Sequence, residues 1–218
     1  MNSLLDRTLQ LTQLSGQAVK ELSPSFDQLP KTDHADGEYR LRRYSIVRVS
    51  NGKVQAMPAR RFMQSDEVNT FQGNVCRSFE PLDENMLSSA GMYEMCEVFK
   101  NANLLSDEQE IEIHQIRIAA IHGETQVAPE GVHQDGFNHI AVIGIDRHNI
   151  EGGEFMVYRD KTDIPFLSMA LQQGEVAILA DNQLWHNARP IKAVKQDEQG
   201  YLDLFVLTAK EAAHALHA

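Results

Sequence analysis

The sequence predicts a mainly β, α+β domain whose second half closes into a small antiparallel barrel or sandwich. After Glu110, six short runs rich in β-branched and aromatic residues (111–121, 139–145, 154–158, 166–171, 175–179 and 201–208) follow one another, separated by Gly, Asp and Asn. Only 84–105 combines helix formers, an apolar stripe (Met86, Met92, Met95, Val98, Phe99, Leu104) and no proline over a helical length. The chain's 218 residues, 42% apolar and 23% charged, suffice for one packed core but are too few for two ordinary domains to be the default.

Taken in order, Leu4, Leu5, Leu9, Leu11 and Leu14 recur at roughly helical spacing before Pro24, which predicts a short opening helix and makes 1–38 a helical extension. From Tyr39 the composition turns to β-branched and aromatic residues, and Asn51-Gly52 supplies the preferred dipeptide of a two-residue hairpin turn. The β core is expected over 39–208, with its helix at 84–105, and the Ala-rich tail 209–218 as a C-terminal helix. With no fixed-period repeat and no low-complexity tract, 1–218 is expected to be a single domain.

The net charge of −11 repels a phosphate backbone, so nucleic acid is not an expected partner. Cys76 and Cys96 are too few for a disulfide framework and too far apart for a paired-thiolate zinc motif, so both are expected free. Asp6 and Arg7 interrupt the first apolar stretch and no run reaches membrane-spanning length; the expectation is a cytoplasmic protein with no membrane partner.

Chemistry enters at Gly131-Val132-His133-Gln134-Asp135-Gly136. In an extended segment residues two apart point to the same side, so His133 and Asp135 can reach one ion, and His186, next to the sole Trp185, is the third candidate. Two imidazoles and one carboxylate occupy one face of an octahedral metal and leave the opposite positions open, the arrangement of non-haem iron(II) oxygenases. A bare His-x-Asp is weak; its context, with a later His and a β frame that brings both together, raises it. The bland alternative is a buried, hydrogen-bonded His186 beside Trp185, with His133 and Asp135 on a solvated loop.

The runs His133-Gln134-Asp135-Gly136, Gly152-Gly153-Glu154 and Trp185-His186-Asn187-Ala188-Arg189-Pro190-Ile191, with Arg40-x-Arg42, Tyr44-Ser45 and Ile113-His114-Gln115-Ile116-Arg117 upstream, resemble iron(II) and 2-oxoglutarate dependent dioxygenases. The likeness covers roughly 39–208 and is to the family that includes bacterial isoleucine 4-hydroxylases. It implies a double-stranded β-helix (a jelly-roll, cupin-like barrel) with flanking helices, iron(II) at His133, Asp135 and His186, and 2-oxoglutarate and O2 as cosubstrates. It further implies hydroxylation of a small free amino acid at an aliphatic carbon. Such enzymes place an Arg-Asp pair at the start of the last barrel strand, where the Arg is expected to bind the distal carboxylate of 2-oxoglutarate. Here the pair is Leu202-Asp203, and leucine forms no salt bridge. Either another cation takes the role, with Arg189 first and Arg117 second, or the cosubstrate differs.

Arg40, Arg42 and Arg43 are candidates for holding a substrate carboxylate, with Tyr44 packed over it; the alternative is a solvated hairpin face. His114 reads either as a substrate contact or as a buried, hydrogen-bonded histidine. Gly153 marks a turn and, in its functional reading, a close approach of backbone to ligand. Two rival functions share the frame: a cupin-like metal isomerase or lyase, and a non-catalytic protein that binds a metal or an amino acid.

Overall fold

The computed structural model describes residues 8–66, 71–121 and 123–210. The expected opening helix is not formed over Leu9 and Leu11, which belong to strand β1 (Leu9–Gln13); Leu4 and Leu5 lie outside the described residues. A spacing of two is the strand period, and a sheet edge offers these backbone groups the partners that an isolated helical turn lacks. Residues 1–38 are therefore not a purely helical extension. The helix α1 (Gly16–Leu22) starts only at Ser15, whose hydroxyl accepts from Ala18 N at 3.1 Å, and it runs into a 3-10 turn, Ser23–Gln28, containing Pro24.

The expected hairpin follows as β2 (Arg40–Ser50) and β3 (Lys53–Ala56), and its turn residues Asn51 and Gly52 have φ of 51° and 73°. The helix expected over 84–105 is divided into α2 (Glu84–Leu87) and α3 (Ala90–Ala102). The cause is local capping: Asp83 accepts from Met86 N and Ser89 from Met92 N, so the second cap interrupts the run. At Gly91, α3 meets α1 so closely that a Cβ would lie 2.8 Å from Ala18 O.

The remaining strands are β4 (Ile111–Ala120), β5 (His139–His148), β6 (Ile150–Gly152), β7 (Phe155–Tyr158), β8 (Leu167–Met169), β9 (Glu175–Ala180), β10 (Trp185–Ala188), β11 (Ile191–Ala193) and β12 (Gly200–Ala209). The six expected strands are all present. The three additional ones, β6, β10 and β11, are too short to declare a period. Ala209 ends β12 rather than starting a helix, and residues 211–218 of the expected C-terminal helix lie outside the described residues.

Seven strands form the larger sheet, in the order β1-β9-β5-β12-β4-β2-β3; β10-β7-β8 form a smaller one and β11-β6 a two-stranded ribbon. Alternation along β12 divides the interior. Phe205, Leu207 and Ala209 pack against Leu22, Phe26, Met92, Met95 and Phe99 from the helical layer. Leu202, Leu204 and Val206 face the other way, toward a cavity between the sheets. Beside it, Phe155 and Val157 of the smaller sheet pack on Ile140, Val142, Ala177 and Leu179 of the larger.

One irregularity matters. Gly144 lies opposite Leu204 and Asp146 opposite Asp203, so Ile145 is an extra residue in β5 where β12 steps directly from Leu204 to Asp203. Beyond this bulge the facing of β5 is reversed, and Arg147, opposite Leu202, points into the cavity. On the helical side of the sheet, Arg117 donates from Nε and Nη2 to the two carboxylate oxygens of Asp203, each at 2.7 Å, and from Nη2 to Asp27 of the 3-10 turn at 3.3 Å. Its guanidinium also lies over the Tyr201 ring, 4.1 Å from the centroid. Among the described residues, no helix is long and apolar enough to cross a membrane.

Asp203 is 2% exposed, so removing its partner strands a buried carboxylate. Arg117→Leu is expected to cost about 3 kcal/mol of unfolding free energy, and Arg117→Leu with Asp203→Leu to recover most of that loss, as measured by denaturant titration.

Candidate active site

His133 and His186 are joined through their backbones: each N–H donates to the other's carbonyl at 2.9 Å, an isolated bridge that pins the segment before β5 to β10. The two rings are thereby held with centroids 4.3 Å apart. Asp135 is placed from the opposite side by Asp181, which is fully buried just after β9. One oxygen of the Asp181 carboxylate, Oδ2, accepts from the backbone N–H of Asp135, Gly136 and Phe137 at 2.8, 3.0 and 3.2 Å. Gly136, at φ 80°, supplies the left-handed turn this wrapping requires.

One ligand atom from each of His133, Asp135 and His186 lies within 4.8 Å of the others. Nε2 of His133 is 3.7 Å from Asp135 Oδ1, and Nε2 of His186 is 3.6 Å from Asp135 Oδ2. The Nδ1–H of His133 donates to Gly131 O at 2.8 Å, which fixes the tautomer and leaves Nε2 as a free lone pair. Burial and the neighbouring His186 lower the His133 pKa, keeping the imidazole neutral. Burial opposes ionisation of Asp135, but both imidazoles and a hydrogen bond from Gln64 Nε2 at 3.2 Å outweigh it and hold the carboxyl below its usual range. For His186, burial is outweighed by the 3.1 Å hydrogen bond to Asp181 and by Asp135, so its pKa is raised. The site thus gathers the carboxylates of Asp135 and Asp181 and the two imidazoles around one point, with the lone pair of His133 Nε2 available and His186 Nε2 facing Asp181. This is a donor set that fits a divalent cation such as iron(II), with Gly131 orienting His133 and with Gln64 and Asp181 holding Asp135; His186 Nε2, which here is hydrogen-bonded to Asp181, would exchange that partner for the metal.

The cavity beside these residues has a volume of about 110 Å³. Its walls are largely apolar, with Ile116, Ile118, Val142, Phe155 and Leu204, and its charged lining is Arg40, Arg42, Arg77, Glu130 and Arg147 besides the cluster itself. The structure brings Arg40, Arg42, His114 and Gly153 to this cavity, as well as His133, Asp135 and His186. The solvated-hairpin alternative does not hold for Arg42, which is 8% exposed and donates from Nη2 to Nδ1 of His114 at 2.8 Å. Burial and Arg42 push the His114 pKa well below its usual value, so this ring is a neutral acceptor. Burial, Arg40 and Arg77 push Arg42 down to about 9, still charged at neutral pH.

Three expectations are corrected. Tyr44 does not line the cavity: its hydroxyl donates to Glu112 at 2.6 Å and its ring stacks on His114, so it supports that histidine from behind. Arg117 faces the helical side of β4, because it stands one residue from the inward-facing Ile116 and Ile118, and Asp203 occupies its guanidinium. Arg189 has an exposed side chain, 3.9 Å from Glu154 and outside the cavity lining, since its odd offset from His186 turns it outward.

Sequence reasoning missed Gln64, Arg77, Glu130, Arg147 and Asp181. Gln64 and Arg77 come from the irregular stretch between β3 and α2, where no periodicity announces a facing; Arg77 donates to Gln64 Oε1 at 3.0 Å, which in turn holds Asp135. Glu130 Oε1 lies 3.3 Å from His133 Nε2, and the acid's place three positions before that histidine was its only signal. The one hint for Asp181 was the Asp-Asn punctuation after a strand.

The 2OG-Fe dioxygenase family model matches residues 23–208. No curated protein matches the chain in sequence. Among solved structures, a bsmA homolog from Methylobium petroleophilum PM1 is similar at 26% identity, covering 95% of this chain and 90% of that one, with a TM-score of 0.79. IDO from Bacillus thuringiensis is similar at 12% identity over 94% of this chain and 95% of its own, with a TM-score of 0.76. The Fe(II)/(alpha)ketoglutarate-dependent dioxygenase TqaL is similar at 11% identity over 94% and 83%, with a TM-score of 0.63. At these identities the last two show a shared fold, the double-stranded β-helix. The family uses iron(II) and 2-oxoglutarate, and the cluster of His133, Asp135 and His186 suits the metal. The match spans most of the chain and includes every residue of the buried cluster, so the protein belongs to the 2OG-Fe dioxygenase family.

Proposed function

We propose that this dioxygenase hydroxylates a small free amino acid at an aliphatic carbon, with His133, Asp135 and His186 as the iron ligands. The observation that supports the substrate class is the charge layout of the cavity. Guanidinium groups of Arg40, Arg42 and Arg77 and the carboxylate of Glu130 line one otherwise apolar space next to the cluster. A zwitterion offers the complementary pair: a carboxylate for the arginines and an ammonium for Glu130. The apolar walls suit an aliphatic side chain.

Bound iron(II) and 2-oxoglutarate supply the oxidising power to insert one atom of O2 into a C–H bond while the other enters succinate and CO2 is released. The chain's own residues orient and exclude. Asp181 and Gln64 fix Asp135, and Gly131 fixes His133 with Nε2 toward the metal position. Phe62, 6% exposed and 5.4 Å from the Arg42 guanidinium, closes the arginine side with a ring that keeps water from these cations and strengthens their hold on an anion.

His186→Ala is expected to abolish iron(II) or manganese(II) binding in calorimetry while leaving the circular dichroism spectrum unchanged. Asp181→Asn, which keeps the shape but weakens the acceptor, is expected to lower metal affinity by about 10–100-fold. A panel of free amino acids, read by succinate release and by a product one oxygen heavier, tests the substrate class. An aliphatic amino acid is expected to turn over, with its KM raised at least about tenfold in Arg77→Leu. Turnover of protein-bound side chains alone would defeat the proposal.

A further inference from the structure

Arg147 remains unexplained by the metal cluster and by the amino-acid subsite. It reaches the cavity only because of the β5 bulge, and it lies directly across the ladder from Leu202. Its Nη2 donates to Gly152 O, while Nη1 is fully buried and has no hydrogen-bond partner. Among the described residues it makes no ion pair. A buried cationic donor without an acceptor is costly unless a ligand supplies one.

From these observations we infer that Arg147 binds the distal carboxylate of 2-oxoglutarate. The inference rests on 2-oxoglutarate being the cosubstrate, which carries one carboxylate beyond the end that chelates a metal. In a cavity with apolar walls that second carboxylate needs a cation. The alternatives are further away or engaged. Arg40 is opposite Ile118, Ile118 opposite Leu202, and Leu202 opposite Arg147, so the four lie in one row across the sheet. At about 4.8 Å per strand, Arg147 stands one strand from Leu202 and Arg40 two strands away on the other side. Arg40, beside Asp36 at 3.7 Å, Arg42, bonded to His114, and Arg77, bonded to Gln64, are the three guanidinium groups assigned above to the amino-acid carboxylate.

The surroundings keep this guanidinium in place. Gly152 and Gly153 have φ of 81° and 71°, and a Cβ on Gly153 would lie 3.2 Å from Arg147 Nη1, so the second glycine leaves room for the cation. Burial lowers the Arg147 pKa against the pull of Glu154, which an incoming carboxylate would relieve.

The test is calorimetry on the manganese(II)-loaded protein with two ligands: 2-oxoglutarate, and 2-oxopentanoate, which has the same metal-chelating end and no distal carboxylate. The unaltered protein is expected to prefer 2-oxoglutarate by about 100-fold or more. Arg147→Leu is expected to lose that preference while still binding 2-oxopentanoate, and adding Leu202→Arg to Arg147→Leu is expected to restore it. Should Arg147→Leu fail to fold, Arg147→Leu with Leu202→Arg and Arg147→Gln are compared in the same way. Preference retained in a folded Arg147 variant that carries no new cation overturns the assignment alone. Absence of 2-oxoglutarate binding by the unaltered protein overturns the cosubstrate reading and the assignment with it.

Discussion

The pair of 2.9 Å hydrogen bonds between the backbones of His133 and His186 joins the larger and smaller sheets at the one place where chemistry is assembled. Without this bridge, two imidazoles separated by 53 positions in the sequence have no reason to share a metal. Asp181 then completes the geometry from the turn after β9, its carboxylate gathering the N–H groups of 135–137 and touching the His186 ring. The three residues of the cluster are consequently held through backbone hydrogen bonds and buried charge. The site is preorganised in the physical sense that ordering entropy is spent on folding, before any metal arrives.

Much of this arrangement was legible in the sequence, for reasons that can be named. The six main strands were visible because β-branched runs alternate with turn residues, and the hairpin because Asn51-Gly52 is chemically suited to left-handed φ. His133 and Asp135 could be placed on one side because period two is rigid. What escaped was set by tertiary pairing. Leu9 and Leu11 fit two periods and were claimed by a sheet edge. The three-residue strands β6 and β11 exist because they have each other. Arg117 was misplaced because a strand position alone does not say which face is the cavity, and only Asp203 on the next strand decides it. Arg77 and Gln64 sit in irregular chain, whose course no local rule dictates.

The electrostatics of the molecule divide sharply between inside and outside. The chain carries a net −11, yet four of its arginines converge on one internal space. Each is restrained differently: Arg40 by Asp36, Arg42 by a neutral histidine and two aromatic rings, Arg77 by a glutamine, Arg147 by a carbonyl. Three of these four partners are uncharged, so the cations are held in position without being neutralised. The cavity thus presents cationic hydrogen-bond donors inside a molecule of negative net charge.

The bulge at Ile145 shows that a strand can encode charge placement by residue count. With regular pairing, position 147 would fall on the helical side, where Asp146 and Asp203 now lie, and position 146 would face the ligand space. One inserted residue therefore decides whether an acid or a base is presented there, with no change in the identity of either. In evolutionary terms a single-codon insertion or deletion in such a strand is a charge-reversal step. A relative that carries its cation on a different strand can differ from this chain by strand length as well as by substitution.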